Sequence, residues 1–185
     1  MFYKVVFYVS RNKDNKEVEN FKERKRAFLV TEENATLDKL RPRFMEFVNE
    51  GLPGEMSRLY VSVNKRSGDK VYTSLMHWLL DHPDTDLGKL EAKVAGLAAE
   101  VPCAAEHKWL LDVDTNDSDV LNRVLNEVDL RDTDHSIDKS VYRTAHGYAV
   151  VVSHGFDTRN FKETFAGLVE VKKDDMLLLE WAVKE

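Results

Sequence analysis

The sequence predicts an α+β protein: an antiparallel or mixed sheet with helices packed on it, extended at the N-terminal end by a β-hairpin and a helix. Three observations carry this. β-Branched and aromatic runs alternate with amphipathic helical segments along the chain. The later half is rich in short strand pairs separated by polar turns, which favours antiparallel pairing. With 185 residues and 43% hydrophobic content, the chain can core one domain plus a small N-terminal appendage.

Residues 2–10 are β-branched and aromatic and read as a strand, with Arg26 to Thr31 as its partner across a polar turn at 11–16. Leu37 to Asn49 reads as a helix, with Leu40, Phe44 and Phe47 on one face. Pro42 fits it best where the main helix begins, since proline is tolerated in a first turn. Gly51 and Pro53 end the element. These parts make up an extension over residues 1–57, and residues 58–185 form the α+β core.

Arg58 to Asn64 alternates as a strand, with Leu59, Val61 and Val63 on one side and Arg58, Tyr60, Ser62 and Asn64 on the other. Arg66 extends the polar side, which reads as the solvent face of an antiparallel sheet or as a platform for a nucleotide or nucleic-acid strand. Helices follow at 69–80 and 87–99, with Val71, Leu75, Trp78 and Leu79 inward on the first. A strand ends at Asp112–Asp114, and a helix runs from about Ser118, its expected N-cap, to Glu127. Strands at 140–144 and 148–153 flank a turn at His146–Gly147, and Thr158 to Phe165 is a short helix. Residues 168–171 and 176–183 read as a last hairpin across Lys173–Asp175.

The net charge of −6 is not that of a protein that coats nucleic acid. The basic cluster Phe21–Arg26 is short and holds Glu23, so it reads as solvated surface. The single cysteine, Cys103, forbids an intrachain disulfide, suits a reducing cytoplasm and reads as a buried thiol. The apolar N-terminal run is too short to span a membrane, and no membrane association is expected. No His-x-x-His or Cys-x-x-Cys spacing, Walker or dinucleotide loop, or Gly-x-Ser-x-Gly elbow is present.

The chemistry-bearing stretch is Lys108-Trp-Leu-Leu-Asp-Val-Asp114. On a strand Asp112 and Asp114 share a face, and two adjacent acids repel unless a cation or solvent separates them. Oxygen donors of this kind suit Mg²⁺ or Mn²⁺; the competing reading is a strand ending in a solvated acidic turn, Asp114–Asp119. About thirty residues later comes the turn Arg143-Thr-Ala-His-Gly-Tyr148, and then Val169-Glu-Val-Lys-Lys-Asp-Asp175.

In this order the three segments resemble the archaeo-eukaryotic primase and primase-polymerase superfamily, especially its small phage-type members. The resemblance covers roughly residues 58–183 and implies an RRM-like core. It implies that Asp112 and Asp114 bind the metal, with Glu170 as the third acid of a nucleotidyltransferase. It implies that Thr144, the Gly147 backbone and a basic residue, Arg143 or Lys172, hold a nucleoside triphosphate, with His146 in the same turn. The chain departs from the pattern at Ala149, where the family carries a histidine, and alanine cannot donate to a phosphate. His146 and His154 lie off the expected spacing and read as surface histidines.

The expectation is a primase-polymerase-like domain of phage or mobile-element type, in the host cytoplasm if phage-encoded. It would bind nucleotide and a divalent metal with weak or absent nucleotidyl transfer. The alternative is a catalytically inactive binding or regulatory protein, such as a phage accessory or host-takeover factor, acting on a protein partner or nucleic acid. An unrelated α+β domain with a coincidental acidic strand is the third reading.

Overall fold

β-Branched and aromatic residues build the strands, and amphipathic runs build the helices between them. In the computed structural model, which describes residues 1–185, the order is β1 (Phe2–Ser10), β2 (Arg24–Thr31), α1 (Leu37–Asn49), β3 (Met56–Ser62), β4 (Arg66–Ser67), α2 (Gly68–Asp81) and α3 (Leu90–Ala98). There follow β5 (Trp109–Val113), α4 (Ser118–Arg131), β6 (Lys139–Arg143), β7 (Tyr148–Val152), α5 (Phe161–Thr164), β8 (Val169–Lys172) and β9 (Met176–Val183). The protein is α+β with two antiparallel sheets. No helix is long and apolar enough to cross a membrane.

The chain divides into two units, Met1–Glu106 with Leu178–Glu185, and His107–Leu177. In the first, the strand order is β2-β1-β3-β9, with β4 paired to the start of β1. The N-terminal hairpin is present: β1 pairs antiparallel with β2 from Tyr3–Thr31 to Ser10–Arg24. The other side of β1 pairs with β3, Val6 opposite Val61. Tyr8 is fully buried and meets Phe28, Phe44 and Phe47 at ring-centroid distances of 5.1, 5.5 and 5.8 Å. Its hydroxyl donates to the Leu40 carbonyl at 3.2 Å, so burial leaves the phenol satisfied.

The expected division between residues 57 and 58 runs through this sheet, because β1 and β3 are hydrogen-bonded neighbours. Residues 58–106 therefore sit with the N-terminal hairpin and not with the acidic strand. Local patterning identifies a strand but not its partner, which explains the misplacement. Pro42 lies inside α1, not at its start. Lacking an N–H, it gives up one helical hydrogen bond.

In the second unit the sheet order is β6-β7-β5-β8. Its core joins Leu111 and Val113 of β5, Val150 and Val152 of β7 and Val169 of β8 to Val124 and Val128 of α4 and Phe161 and Phe165. α4 runs four residues beyond the expected end at Glu127, and its cap is Asp117, whose side chain accepts from the Asp119 N–H at 2.8 Å. Ser118, the expected cap, is the first helical residue. α5 spans only Phe161–Thr164. The expected last hairpin does not form: β8 pairs with β5, while β9 lies beside β3 in the other sheet. A short polar turn between two apolar runs carries no signal that separates a hairpin from a passage between sheets.

Candidate functional site

The sheet of the second unit places the acidic strand at its centre. Directly paired residues share a face, so Asp112 lies between Ala149 on β7 and Glu170 on β8. This face is opposite the one that packs Leu111, Val113, Val150 and Val169 into the core. Asp114 is one residue past the strand end and exposed; its backbone N–H donates to the Leu168 carbonyl at 2.9 Å.

Lys172 shares the Asp112 face because it lies two residues beyond Glu170 on β8. Its Nζ donates to Asp112 Oδ2 at 3.0 Å and lies 3.2 Å from Asp175 Oδ2 and 3.7 Å from Glu170 Oε2. Burial works against the ammonium, but the carboxylates of Asp112 and Asp175 outweigh it and hold Lys172 above the ordinary lysine value. Asp175 enters this cluster from the turn after β8. The i,i+3 spacing from Lys172 was its only sequence signal, and Asp in a turn is ordinarily read as local hydrogen bonding.

The turn of the β6–β7 hairpin closes through the Thr144 N–H donating to the Gly147 carbonyl at 3.0 Å. It is seated against the end of the acidic strand. A Cβ on Gly147 would lie 2.0 Å from the Val113 carbonyl oxygen and 2.8 Å from the Thr115 nitrogen, so only glycine fits. Arg143 lies over the Tyr148 ring, its guanidinium carbon 4.8 Å from the centroid. The Tyr148 hydroxyl donates to the Asn116 carbonyl at 3.4 Å, and His146 is exposed. The residues singled out in the sequence thus fall into two sets. Asp112, Glu170 and Lys172 meet on the sheet, and the Thr144–Gly147 turn meets the backbone just before and after Asp114.

No group of three or more His, Cys, Asp or Glu side chains is arranged to hold a metal ion. The place between the Asp112, Glu170 and Asp175 carboxylates is filled by an ammonium. Ala149 puts a buried methyl group directly opposite Asp112.

The polar side of β3 is neither a solvent face nor an open platform. Arg58, Ser62, Asn64 and Arg66 are all buried. Arg58 bonds Asp14 at 2.6 Å, and the Ser62 hydroxyl accepts from the Val5 N–H at 3.1 Å. In the basic cluster before β2, Arg24 bonds Glu55 and the Phe47 carbonyl, and Lys25 lies 4.0 Å from the Phe7 ring centroid. These cations are spent on structure. Cys103 is buried, as expected, with its sulfur 3.7 Å from the Ser74 hydroxyl.

Compared with known proteins, the chain matches no protein-family model and no curated sequence.

Proposed function

We propose that this chain is a catalytically inactive binding or regulatory protein, built on a sheet whose acidic strand and turn resemble those of primase-polymerases. The observation that carries the reading is the register of β5 and β7, which sets Ala149 opposite Asp112. A methyl group there neither donates to a phosphate nor carries charge. The other cationic groups near the strand end are already engaged: Arg143 on Tyr148, and Lys172 on Asp112, Glu170 and Asp175. A triphosphate brought to this face would meet carboxylates with a single shared ammonium, which is electrostatically unfavourable. The net charge of −6 favours a protein partner over a nucleic-acid one.

A second reading keeps nucleotide and Mg²⁺ or Mn²⁺ binding with weak or absent nucleotidyl transfer. It is favoured by the Gly147 turn, seated on the backbone beside Asp114 as a phosphate-holding turn would need to be. Calorimetric titration with MnCl₂ or MgCl₂, with and without a nucleoside triphosphate, separates the two. The proposal expects no saturable heat from either ligand. A nucleotide-dependent metal isotherm that disappears in Asp112→Asn and Asp114→Asn would overturn it in favour of the second reading.

A further inference from the structure

We infer that the outward side of α2 is a docking surface for an amphipathic helix of another protein, one that carries Lys or Arg beside both ends of its apolar stripe. The inference deepens the proposed binding role and rests on it.

α2 is apolar on more than one side. Val71 is buried, and Leu75, Trp78 and Leu79 are half-buried, as their spacing predicts. Tyr72, Met76 and Leu80 have no such use. They lie four residues apart, so each stands about one turn beyond the last on the same side. They are 63%, 39% and 76% exposed, and they run for about 12 Å along the helix. A surface helix ordinarily turns charged or polar residues outward. Thr73, also exposed, donates its hydroxyl to the Asp69 carbonyl at 3.0 Å, so that proton is already used within the helix. Apolar anchors at this spacing are the pattern by which helices dock. Tyrosine, with an apolar body and a polar tip, is a frequent anchor of such contacts.

The charges around the stripe select the occupant. Asp69, three residues before Tyr72, lies on the same side of the helix. Asp81 follows Leu80 at the other end, and Asp84 comes just past the helix. All three acids are exposed and make no ion pair. The nearby lysines are engaged. Lys70 donates to the Ala104 carbonyl at 3.0 Å, Lys89 lies 3.6 Å from Asp86, and Lys93 lies 4.5 Å from the Trp78 ring centroid. A second copy laid antiparallel would set the Asp69 end of one helix against the Asp81 end of the other. Laid parallel, it would set each acid against itself. Both arrangements oppose like charges, whereas a helix with basic residues flanking its stripe meets an acid at each end.

The test uses a fluorescein-labelled synthetic peptide with Leu at helical spacing and Lys at both ends, followed by fluorescence anisotropy. The control peptide has Glu in place of each Lys. The wild type is expected to bind the Lys peptide saturably and the Glu peptide not at all. Tyr72→Ser with Leu80→Ser should weaken binding at least about tenfold, as removal of anchor residues does. Asp69→Asn with Asp81→Asn should weaken it about threefold and flatten its salt dependence. The substituted side chains are exposed, and circular dichroism checks that each variant is folded. No saturable binding of the Lys peptide, equal binding of the two peptides, or unchanged affinity in Tyr72→Ser with Leu80→Ser would overturn the docking surface and leave the proposed function standing. A wild-type dimer in sedimentation equilibrium that these two substitutions dissociate would overturn the choice of occupant. The nucleotide-dependent metal isotherm that would overturn the proposed function is read without the peptide, so the two fail separately.

Discussion

Two groups of carboxylates and cations, one in each unit, are built on opposite terms. In the first, Glu55 is 2% exposed and receives donors from every side. One oxygen accepts from the Ser10 hydroxyl at 2.6 Å and from Arg24, and the other accepts from the Leu52 N–H at 2.9 Å. Nearby, Asp14 takes Arg11 at 2.9 Å and Arg58 at 2.6 Å. Cations and backbone donors there match or outnumber the acids. In the second unit a single lysine serves three acids, two of them about a third exposed and one mostly exposed. The first cluster is closed and holds the structure together. The second keeps unspent negative charge facing water, as a surface free to change partners would.

The contrast predicts unequal costs. Glu55→Gln should be the most damaging change, because it leaves the half-buried Arg24 beside a buried amide and sets donor against donor. A loss of about 3–5 kcal/mol in urea unfolding is expected, as for other broken buried pairs. A loss below about 1 kcal/mol would mean that the first cluster is no more structural than the second.

Acid should find the first cluster next. Burial pushes the Glu55 and Asp14 carboxyls up, but their donors outweigh it: Ser10, Leu52 and Arg24 for Glu55, and Arg11 and Arg58 for Asp14. Both are held below their ordinary values of 4.5 and 3.8. Groups with depressed folded values contribute stability that is complete above the unfolded values and is lost as pH falls through the folded ones. Unfolding free energy measured from pH 6 downward should therefore decline below about 4.5 in the wild type, and less steeply in Glu55→Gln. Equal slopes would remove Glu55 as a source of the decline.

The smallest effect is expected for Lys172→Met. Its cluster is partly exposed, so losing the ammonium should cost no more than about 1 kcal/mol, and added salt should shrink that difference. A cost near that of Glu55→Gln would erase the distinction between the two clusters.

The α+β class and the N-terminal hairpin were legible because hydrophobic alternation and helical periodicity are local signals. So was the turn at 143–148, since a glycine between two strand runs marks a tight turn; its nearness to the acidic strand was implied only by the family resemblance. Glu55 was not legible. It stands between Gly54 and Met56 as an ordinary loop acid, and only the pairing of β1 with β2 and β3 brings Arg24 and Ser10 to it. The burial of Arg58 and Arg66 was hidden for the same reason: alternation shows that two sides differ but not which is covered. Lys172 was read beside Glu170, but its grip on Asp112 depends on a register set sixty residues apart along the chain.

The position of β9 bears on the order in which the protein can be made. The first sheet takes β9, beside β3, from the end of and just beyond the stretch that makes the second unit, so a growing chain exposes β3 with one edge bare until that stretch has been made. The second unit is a continuous stretch and can close on itself first. During that interval the bare edge of β3 is a template for pairing with other chains. Late arrival of one strand thus leaves the N-terminal sheet, although begun first, to be secured only after the second unit.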